Sequence, residues 1–495
     1  MKAAERRIAV NTILLSATEL LSRMVSLLLV IVVARRLGPQ MMGIYAFALT
    51  FVGLFETGIN FGLDRFIQRE VGRRRELAGA LYATVFQLKA LVFLISIGLI
   101  LLLGLTMVDS DMKRWVVIIL GLSLFFRANI ASGNAFFRAC QKAGYEALVV
   151  MSFRLVYGMA GLAAILSGRG LITLVLLELI AQAGACCLSW WLFLRKIAAP
   201  LPPFDSVGPQ PGKPATSPWN RMLELGKAAK DFLLIRVILS ALASANMLML
   251  PALADDAATG FYSAALRLTS AFDFLPDAFT GAFLPVLSQC ALQSWPAFSR
   301  TFRHYFKYLL LTGLCLAALL GGLANSFILV VYGTAFRPAI ATMGLMALNL
   351  VLDFTALSFA SALIAMNQER KSLRIFGLAL IANILLNLAL IPAFQQNGAA
   401  ISTFLCQVIV LVLQFKALGW DRSVRFELAG TAARPVLAGL LGFLLGRAMM
   451  IWEVDPFVTF LVMPPALLAL LLLTGALSRD EFMAVVNLIP FRKNR

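Results

Sequence analysis

Histidine is almost missing from this chain: His304 is the only one in 495 residues. That excludes His-built zinc centres and Ser-His-Asp chemistry as organising ideas. Cysteine is sparse as well. Cys140, Cys186, Cys187, Cys290, Cys315 and Cys406 fall mostly within apolar segments or on their flanks, at no metal or disulfide-framework spacing. No metal and no cofactor is therefore expected. Acidic residues are scarce, 25 against 43 Lys and Arg, and charge of either sign makes up only 14% of the chain. Long polar stretches are also lacking. One connection alone, residues 195–229, is long, and it is rich in proline (Pro200, Pro202, Pro203, Pro209, Pro211, Pro214 and Pro218). Such a segment reads as a linker. With no other loop large enough for a catalytic head, an enzyme is not expected. No cleavable signal peptide is evident, because the first apolar segment is too long for an h-region and no small-residue cleavage site follows it.

What is abundant is apolar sequence. Hydrophobic residues make up 60% of the chain, and the mean hydropathy is +0.86. Runs of about twenty apolar residues recur along it, each long enough to cross roughly 30 Å of hydrocarbon. Strands of a membrane barrel would alternate and run only about ten residues. The expectation is an all-α membrane protein of about fourteen transmembrane helices. They are placed at 9–34, 42–63, 77–104, 115–134, 147–167, 171–194, 230–252, 259–286, 306–331, 338–363, 373–391, 397–417, 430–450 and 457–477. The tail from Ser478 to Arg495 reads as a short interfacial helix.

The net charge of +18 is distributed by side. About 30 of the Lys and Arg fall in loops on the side of the N-terminus and about seven on the other, the asymmetry of the positive-inside rule. It places both termini in the cytoplasm and the protein in the cytoplasmic (inner) membrane. Topology thus explains the basic excess, and no nucleic-acid partner is expected. Arg69 and the run Arg73-Arg74-Arg75 are read the same way, as topology signals and contacts to anionic membrane lipids.

The two halves look related. At a constant offset, Gly43, Tyr45, Ala48, Leu49, Phe55 and Glu56 align with Gly260, Tyr262, Ala265, Leu266, Phe272 and Asp273, and all but the last pair are identities. An even number of helices per half makes the repeats run the same way, related by an axis along the membrane normal, as in transporters that rock two lobes about a central site. This divides the chain into an N-lobe (1–194, helices one to six), a linker (195–229), a C-lobe (230–417, helices seven to twelve) and two further helices with a tail (418–495).

Several segments resemble a known family. Arg35-Arg36-Leu37-Gly38-Pro39, Gly43-Ile44-Tyr45-Ala46-Phe47-Ala48, and Asn60-Phe61-Gly62-Leu63-Asp64-Arg65 with Arg69-Glu70 are similar to the opening of the polysaccharide flippases. These belong to the multidrug/oligosaccharidyl-lipid/polysaccharide exporter superfamily. Gly260-Phe261-Tyr262-Ser263-Ala264-Ala265-Leu266-Arg267, Pro285-Val286-Leu287-Ser288, Tyr332-Gly333-Thr334-Ala335-Phe336 and Asn397-Gly398-Ala399-Ala400 resemble its later segments. The resemblance spans essentially the whole chain. It implies twelve core helices in two lobes plus two more, alternating access without ATP hydrolysis, and a cargo of sugars on an undecaprenyl-type pyrophosphate. One departure stands out: many relatives carry an acid in helix seven near Asn246, where this chain has an amide, which puts ion coupling through helix seven in doubt.

Moving a pyrophosphate and its sugars through hydrocarbon calls for a wet, cationic cavity, because an unpaired buried ion costs several kcal/mol. Six cations fall within apolar segments: Arg23, Lys89, Arg127, Arg154, Arg236 and Arg267. Each is a candidate for substrate binding, and each has a structural alternative. Arg23 follows Glu19 by one turn and could simply pair with it. It shares a helix face with Thr12, Ser16, Glu19 and Ser26. Arg154 and Arg236 could snorkel to the cytoplasmic side. Lys89 sits mid-segment, Arg127 lies deep in helix four, and Arg267 lies a turn from Ser263 and Ser270. The candidates for coupling to protons or sodium are Glu19, Glu56, Asp273, Asp277 and Asp353. Thr269, Asp273 and Asp277 would share one face of helix eight, and Asn349 with Asp353 one of helix ten. Glu178 and Gln182 would share a face of helix six. For each acid the alternative is a structural pairing with one of the arginines.

The expected function is a flippase for lipid-linked oligosaccharide. A peptidoglycan-precursor flippase or a drug/cation antiporter of the same superfamily stands as the alternative. Its partners would be the lipid-linked substrate, membrane lipids, a coupling ion and polysaccharide-assembly proteins.

Overall fold

A computed structural model describes residues 2–60, 63–73, 75, 78–108, 110–198, 237–419, 422–452 and 456–477. The expected linker, Arg236 and the tail helix lie almost wholly outside these residues. Among those described, helices account for the regular structure, and nine are long and apolar enough to cross a membrane, with Val237–Leu253 and Leu461–Leu473 as shorter apolar helices. The protein is a multi-pass, all-α membrane protein. Its chain divides into two compact units, Met1–Ser244 and Ala245–Arg495.

The first unit holds α1 (Lys2–Asn60), α2 (Leu63–Arg73), α3 (Ala78–Met107), α4 (Asp111–Ala139), α5 (Ala143–Leu166) and α6 (Leu171–Phe193), the last running on through a wider turn at Leu194–Ala198. The first two expected spans join into α1. Only Gly38 departs from helical geometry between them, at φ +79° and ψ 178°. Pro39 then opens the second half, where its missing N–H costs nothing. The basic stretch after Asn60 is an amphipathic helix, α2, where a loop was expected. Leu63, Ile67 and Val71 are buried along one face, while Arg69 and Arg73 are exposed. These helices pack around two apolar clusters. One is built on Tyr45, Val52, Ile59, Leu120, Leu124 and Tyr157, the other on Ile67, Val85, Phe136, Phe137, Val149 and Phe193.

The division falls within α7 (Val237–Leu253). The second unit then holds α8 (Asp256–Ser270), α9 (Phe274–Gln293), α10 (Trp295–Gly322), α11 (Ala324–Tyr332), α12 (Ala339–Ala365), α13 (Glu369–Leu418), α14 (Arg422–Ile451) and α15 (Pro456–Leu473). The expected single helix 259–286 is two, broken at Ala271–Asp273. Pro276 explains the break: it has no N–H for the Phe272 carbonyl, and its ring would crowd that oxygen in a continuous helix. Thr269, Asp273 and Asp277 therefore do not share one uninterrupted helix face. The expected helix 306–331 begins earlier and splits into α10 and α11, with Pro296 in the first turn of α10. Helices eleven and twelve merge as α13 across Gln395, whose φ of +51° turns the chain. That elbow admits only glycine at 398, because a Cβ there would stand 2.1 Å from the Leu390 carbonyl oxygen.

Helix α14 seats on α10 through a row of glycines. A Cβ on Gly446 would lie 2.8 Å from the Gly322 Cα, one on Gly442 2.1 Å from Leu467 of α15, and one on Gly439 2.7 Å from Leu314. Small residues at such spacing let membrane helices approach to backbone contact. Thus α14 and α15 join the second unit.

Candidate functional site

Each unit carries its own polar constellation. In the first, Tyr45, Glu56 and Asn60 recur at spacings of eleven and four, which puts them on one face of the second half of α1. Arg127 of α4 answers Glu56, with Nη2 2.8 Å from Oε2 and both side chains about 25% exposed. A second nitrogen of Arg127, Nη1, is buried with no protein partner among the described residues. Lys89 of α3 is 1% exposed. Its ammonium donates to Asn60 Oδ1 at 2.8 Å and to the Ala128 carbonyl at 2.7 Å, with Asp64 Oδ1 at 3.9 Å. Lys89 therefore ties α1, α2, α3 and α4 together and does not present its charge to an open surface.

On α6, Glu178 is buried. Its Oε2 accepts a hydrogen bond from the Tyr45 hydroxyl at 3.1 Å, and Tyr45 and Tyr157 share another at 3.0 Å. The charges of Arg127 and Arg154 both act on Glu178. Arg154 lies on α5 beside Phe153, with its guanidinium carbon 5.3 Å from that ring's centre, and its Nε is buried without an acceptor among the described residues. The expected residues Glu56, Lys89, Arg127 and Arg154 thus gather in one interior network, joined by Glu178. Glu178 had been noticed only for its helix spacing with Gln182. Its tyrosine donors carry no local signal in the sequence.

Arg23 and Glu19 stand apart. Arg23 Nε lies 3.0 Å from Glu19 Oε1, and the two side chains are 51% and 62% exposed. The alternative reading, a pair within α1, describes them, and they do not join the network. The side chains of Thr12 and Ser16 lie outside the described residues, as does Arg236.

In the second unit Arg267 of α8 is partly buried, and its Nε also lacks an acceptor among the described residues. Tyr332, in the Tyr332–Phe336 segment, is close enough to feel its charge. Asp353 of α12 accepts from Asn349 at 2.8 Å and from Gln407 of α13. Asp273 is a charge neighbour of Asp353, and Asp273 and Asp277 are themselves exposed. Tyr305 bridges Thr280 of α9 at 2.8 Å and Ser361 of α12 at 3.1 Å.

Asn246 forms a neutral knot. Its amide donates to the Tyr262 hydroxyl at 2.7 Å and to Thr403 Oγ1 at 2.5 Å, while Asn387 donates to Asn246 Oδ1 at 2.7 Å and to Asn383 Oδ1 at 3.1 Å. Hydroxyls and amides serve one another here with no ionised member, though Asn387 Oδ1 is buried without a partner among the described residues. Among the described residues no group of three or more His, Cys, Asp or Glu could hold a metal ion.

The arrangement's chemical capacity lies in the arginines. Fixed guanidinium N–H groups with no protein acceptor suit phosphate oxygens, which accept such bonds in pairs.

Comparison with known proteins bears on the fold and the family. Residues 8–291 match the family model described as "Polysaccharide biosynthesis protein". Over 169 residues the chain is 28% identical to "Probable flippase AglR" of Haloferax volcanii, a match covering 32% of this chain and 34% of that protein. The aligned stretch thus spans about a third of that relative's length. Among solved structures, the chain is similar to "Lipid II flippase MurJ, inward closed conformation" at a TM-score of 0.68 and 12% identity, over 96% of this chain and 100% of that one. It is also similar to an inward-facing "multidrug resistance MATE family transporter of the MOP superfamily" at a TM-score of 0.65 and 14% identity, over 85% and 98%. At such identities the likeness is one of fold. The family match takes in more than half of the chain, and the chain belongs to the polysaccharide biosynthesis protein family.

Proposed function

We propose that the protein is a flippase that moves an oligosaccharide on an undecaprenyl-pyrophosphate-type lipid across the cytoplasmic membrane by alternating access, coupled to an ion. The observation that carries this reading is the trio Arg127, Arg154 and Arg267. Each keeps a buried guanidinium N–H without a protein acceptor among the described residues. A buried donor left unmade costs about 1–3 kcal/mol, and a transiting phosphate would satisfy it. Family membership supports the same reading, as does the partial match to a probable flippase. In this role Arg127, Arg154 and Arg267 touch substrate, and Lys89 braces the first unit. Both termini lie in the cytoplasm, and polysaccharide-assembly proteins supply and take up the cargo.

Glu178 and Asp353 are the acids best placed for ion coupling. Each is held by neutral hydrogen-bond donors in a membrane-crossing helix. The Asn246 knot, made of neutral groups, has no carboxylate to offer a cation.

A flippase for peptidoglycan precursor shares the pyrophosphate chemistry, and the fold likeness to a Lipid II flippase favours it as the second reading. The arginines argue against a drug/cation antiporter, because cationic cargo would be repelled. Reconstituted vesicles carrying either an undecaprenyl-pyrophosphate oligosaccharide or a peptidoglycan precursor separate the first two, and a dye-efflux assay tests the third. Movement of the oligosaccharide lipid that is accelerated by a proton or sodium gradient supports the proposal. Movement of the precursor alone transfers the function to the second reading.

A further inference from the structure

We infer that the second unit carries an anionic-phospholipid headgroup site at its cytoplasmic end, distinct from the substrate arginines. A cleft of about 470 Å³ lies between α10, α14 and the turn after α15, within the range of small-molecule sites of about 300–1,000 Å³. Arg303, His304 and Lys307 line it from α10, and Thr431 and Arg434 from α14. The floor is small: Gly430, Gly475 and Ala476. Glu427 balances Arg303, with Oε2 2.9 Å from Nη1. Arg434 has no carboxylate within salt-bridge reach among the described residues. Among the described residues the cleft is therefore net cationic, while the Thr431 hydroxyl donates to the Glu427 carbonyl at 2.8 Å.

Depth points to a lipid. Helix α10 has 28 residues, about 42 Å of helix against roughly 30 Å of hydrocarbon. Arg303 to Lys307 lie some 12–18 Å from its N-terminal end, the level where a helix leaves hydrocarbon for headgroups. Helix α14 enters from the same side, and Glu427 and Arg434 are similarly placed along it. Beyond the cleft, α14 continues with exposed Leu437, Leu440, Leu441 and Leu444. A phosphodiester in the cleft would lie in register with acyl chains laid along that stripe. Charge sign, depth and the adjoining apolar track together fit a phospholipid of the cytoplasmic leaflet, and basic pockets between membrane helices hold such headgroups elsewhere.

The test is native mass spectrometry of the full-length protein, taken from mixed micelles of phosphatidylglycerol and phosphatidylcholine. The wild type is expected to retain phosphatidylglycerol in preference to phosphatidylcholine. Lys307→Gln and Arg434→Gln are each expected to weaken that retention about fivefold. Removing the same charge from exposed Arg370 and Arg374 on α13 should leave it unchanged. Thr431→Phe keeps every charge but fills the cleft, and it too should lose the lipid, which separates a site from a net-charge effect. Equal retention by the cleft and α13 variants overturns the proposal. So does retention undiminished in a folded Thr431→Phe protein. Displacement of the lipid by inorganic phosphate at matched concentration would overturn the lipid assignment in favour of a free-anion site.

Discussion

Arg127 Nη2 lies 2.8 Å from Glu56 Oε2, tying the second half of α1 to α4 across the interior of the first unit. Both side chains are a quarter exposed, so the pair sits between a surface bridge and a fully buried one. Replacing Arg127 by Gln should cost about 1–2 kcal/mol. Exchanging the two, Glu56→Arg with Arg127→Glu, should recover most of that loss in thermal unfolding, while transport stays impaired because the cation has moved. An exchanged protein no more stable than the weaker single variant would show that the pair does not act as one.

Lys89→Met should destabilise the protein by about 2 kcal/mol, since Asn60 Oδ1 and the Ala128 carbonyl each lose a donor. Asp64 Oδ1, itself buried, lies 3.9 Å from the ammonium and loses that charge as well. Detergent unfolding curves of the two proteins test this. Identical midpoints would contradict the bracing role.

The glycine contacts rank three substitutions. Gly398→Ala meets a carbonyl oxygen of the backbone at 2.1 Å, Gly446→Ala meets the Gly322 Cα at 2.8 Å, and Gly442→Ala meets the end of the Leu467 side chain. A side-chain tip can rotate aside and a backbone cannot. The expected order of lost folded yield is Gly398 first, then Gly446, then Gly442. Fluorescence-detected size exclusion of the three variants reads that order directly.

Asn246→Ala should cost about 1–2 kcal/mol, because Tyr262, Thr403 and Asn387 lose their shared partner at once. Tyr262→Phe alone should cost less, removing one member and leaving Asn246 with Thr403. A midpoint shift as large for Tyr262→Phe as for Asn246→Ala would contradict the knot's organisation around Asn246.

Much of the fold is legible in the sequence because the physics is local. Twenty apolar residues suffice to define a span. Joints were harder. Gly38-Pro39 reads as a loop, yet one residue at positive φ is enough to turn α1. Pro276 breaks helix eight through its missing N–H, a signal present in the sequence but masked by continuous hydrophobicity. Leu63, Ile67 and Val71 mark α2 by their spacing of four, which the neighbouring arginines obscured. At the candidate sites, Glu56, Lys89 and Arg127 are visible as charges in apolar surroundings. Their partners are not. Tyr45 and Tyr157 meet Glu178 from far along the chain, and Gln407 reaches Asp353 from another helix. Such pairings depend on packing that periodicity does not encode. Arg23 shows the converse, since its i,i+4 acid was local and did pair with it.

The central claim is that buried arginines receive the pyrophosphate of a lipid-linked oligosaccharide. It is tested most directly by a flipping assay in vesicles on wild type and the Arg154→Gln, Arg267→Gln double variant, with folding of both verified by size exclusion and unfolding midpoint. Both residues hold a buried Nε without an acceptor among the described residues, so their loss should spare stability. The expected result is rapid translocation by the wild type and at least a tenfold slower rate in the double variant, about 1.4 kcal/mol or more of lost interaction. Translocation by the double variant at the wild-type rate would contradict the account.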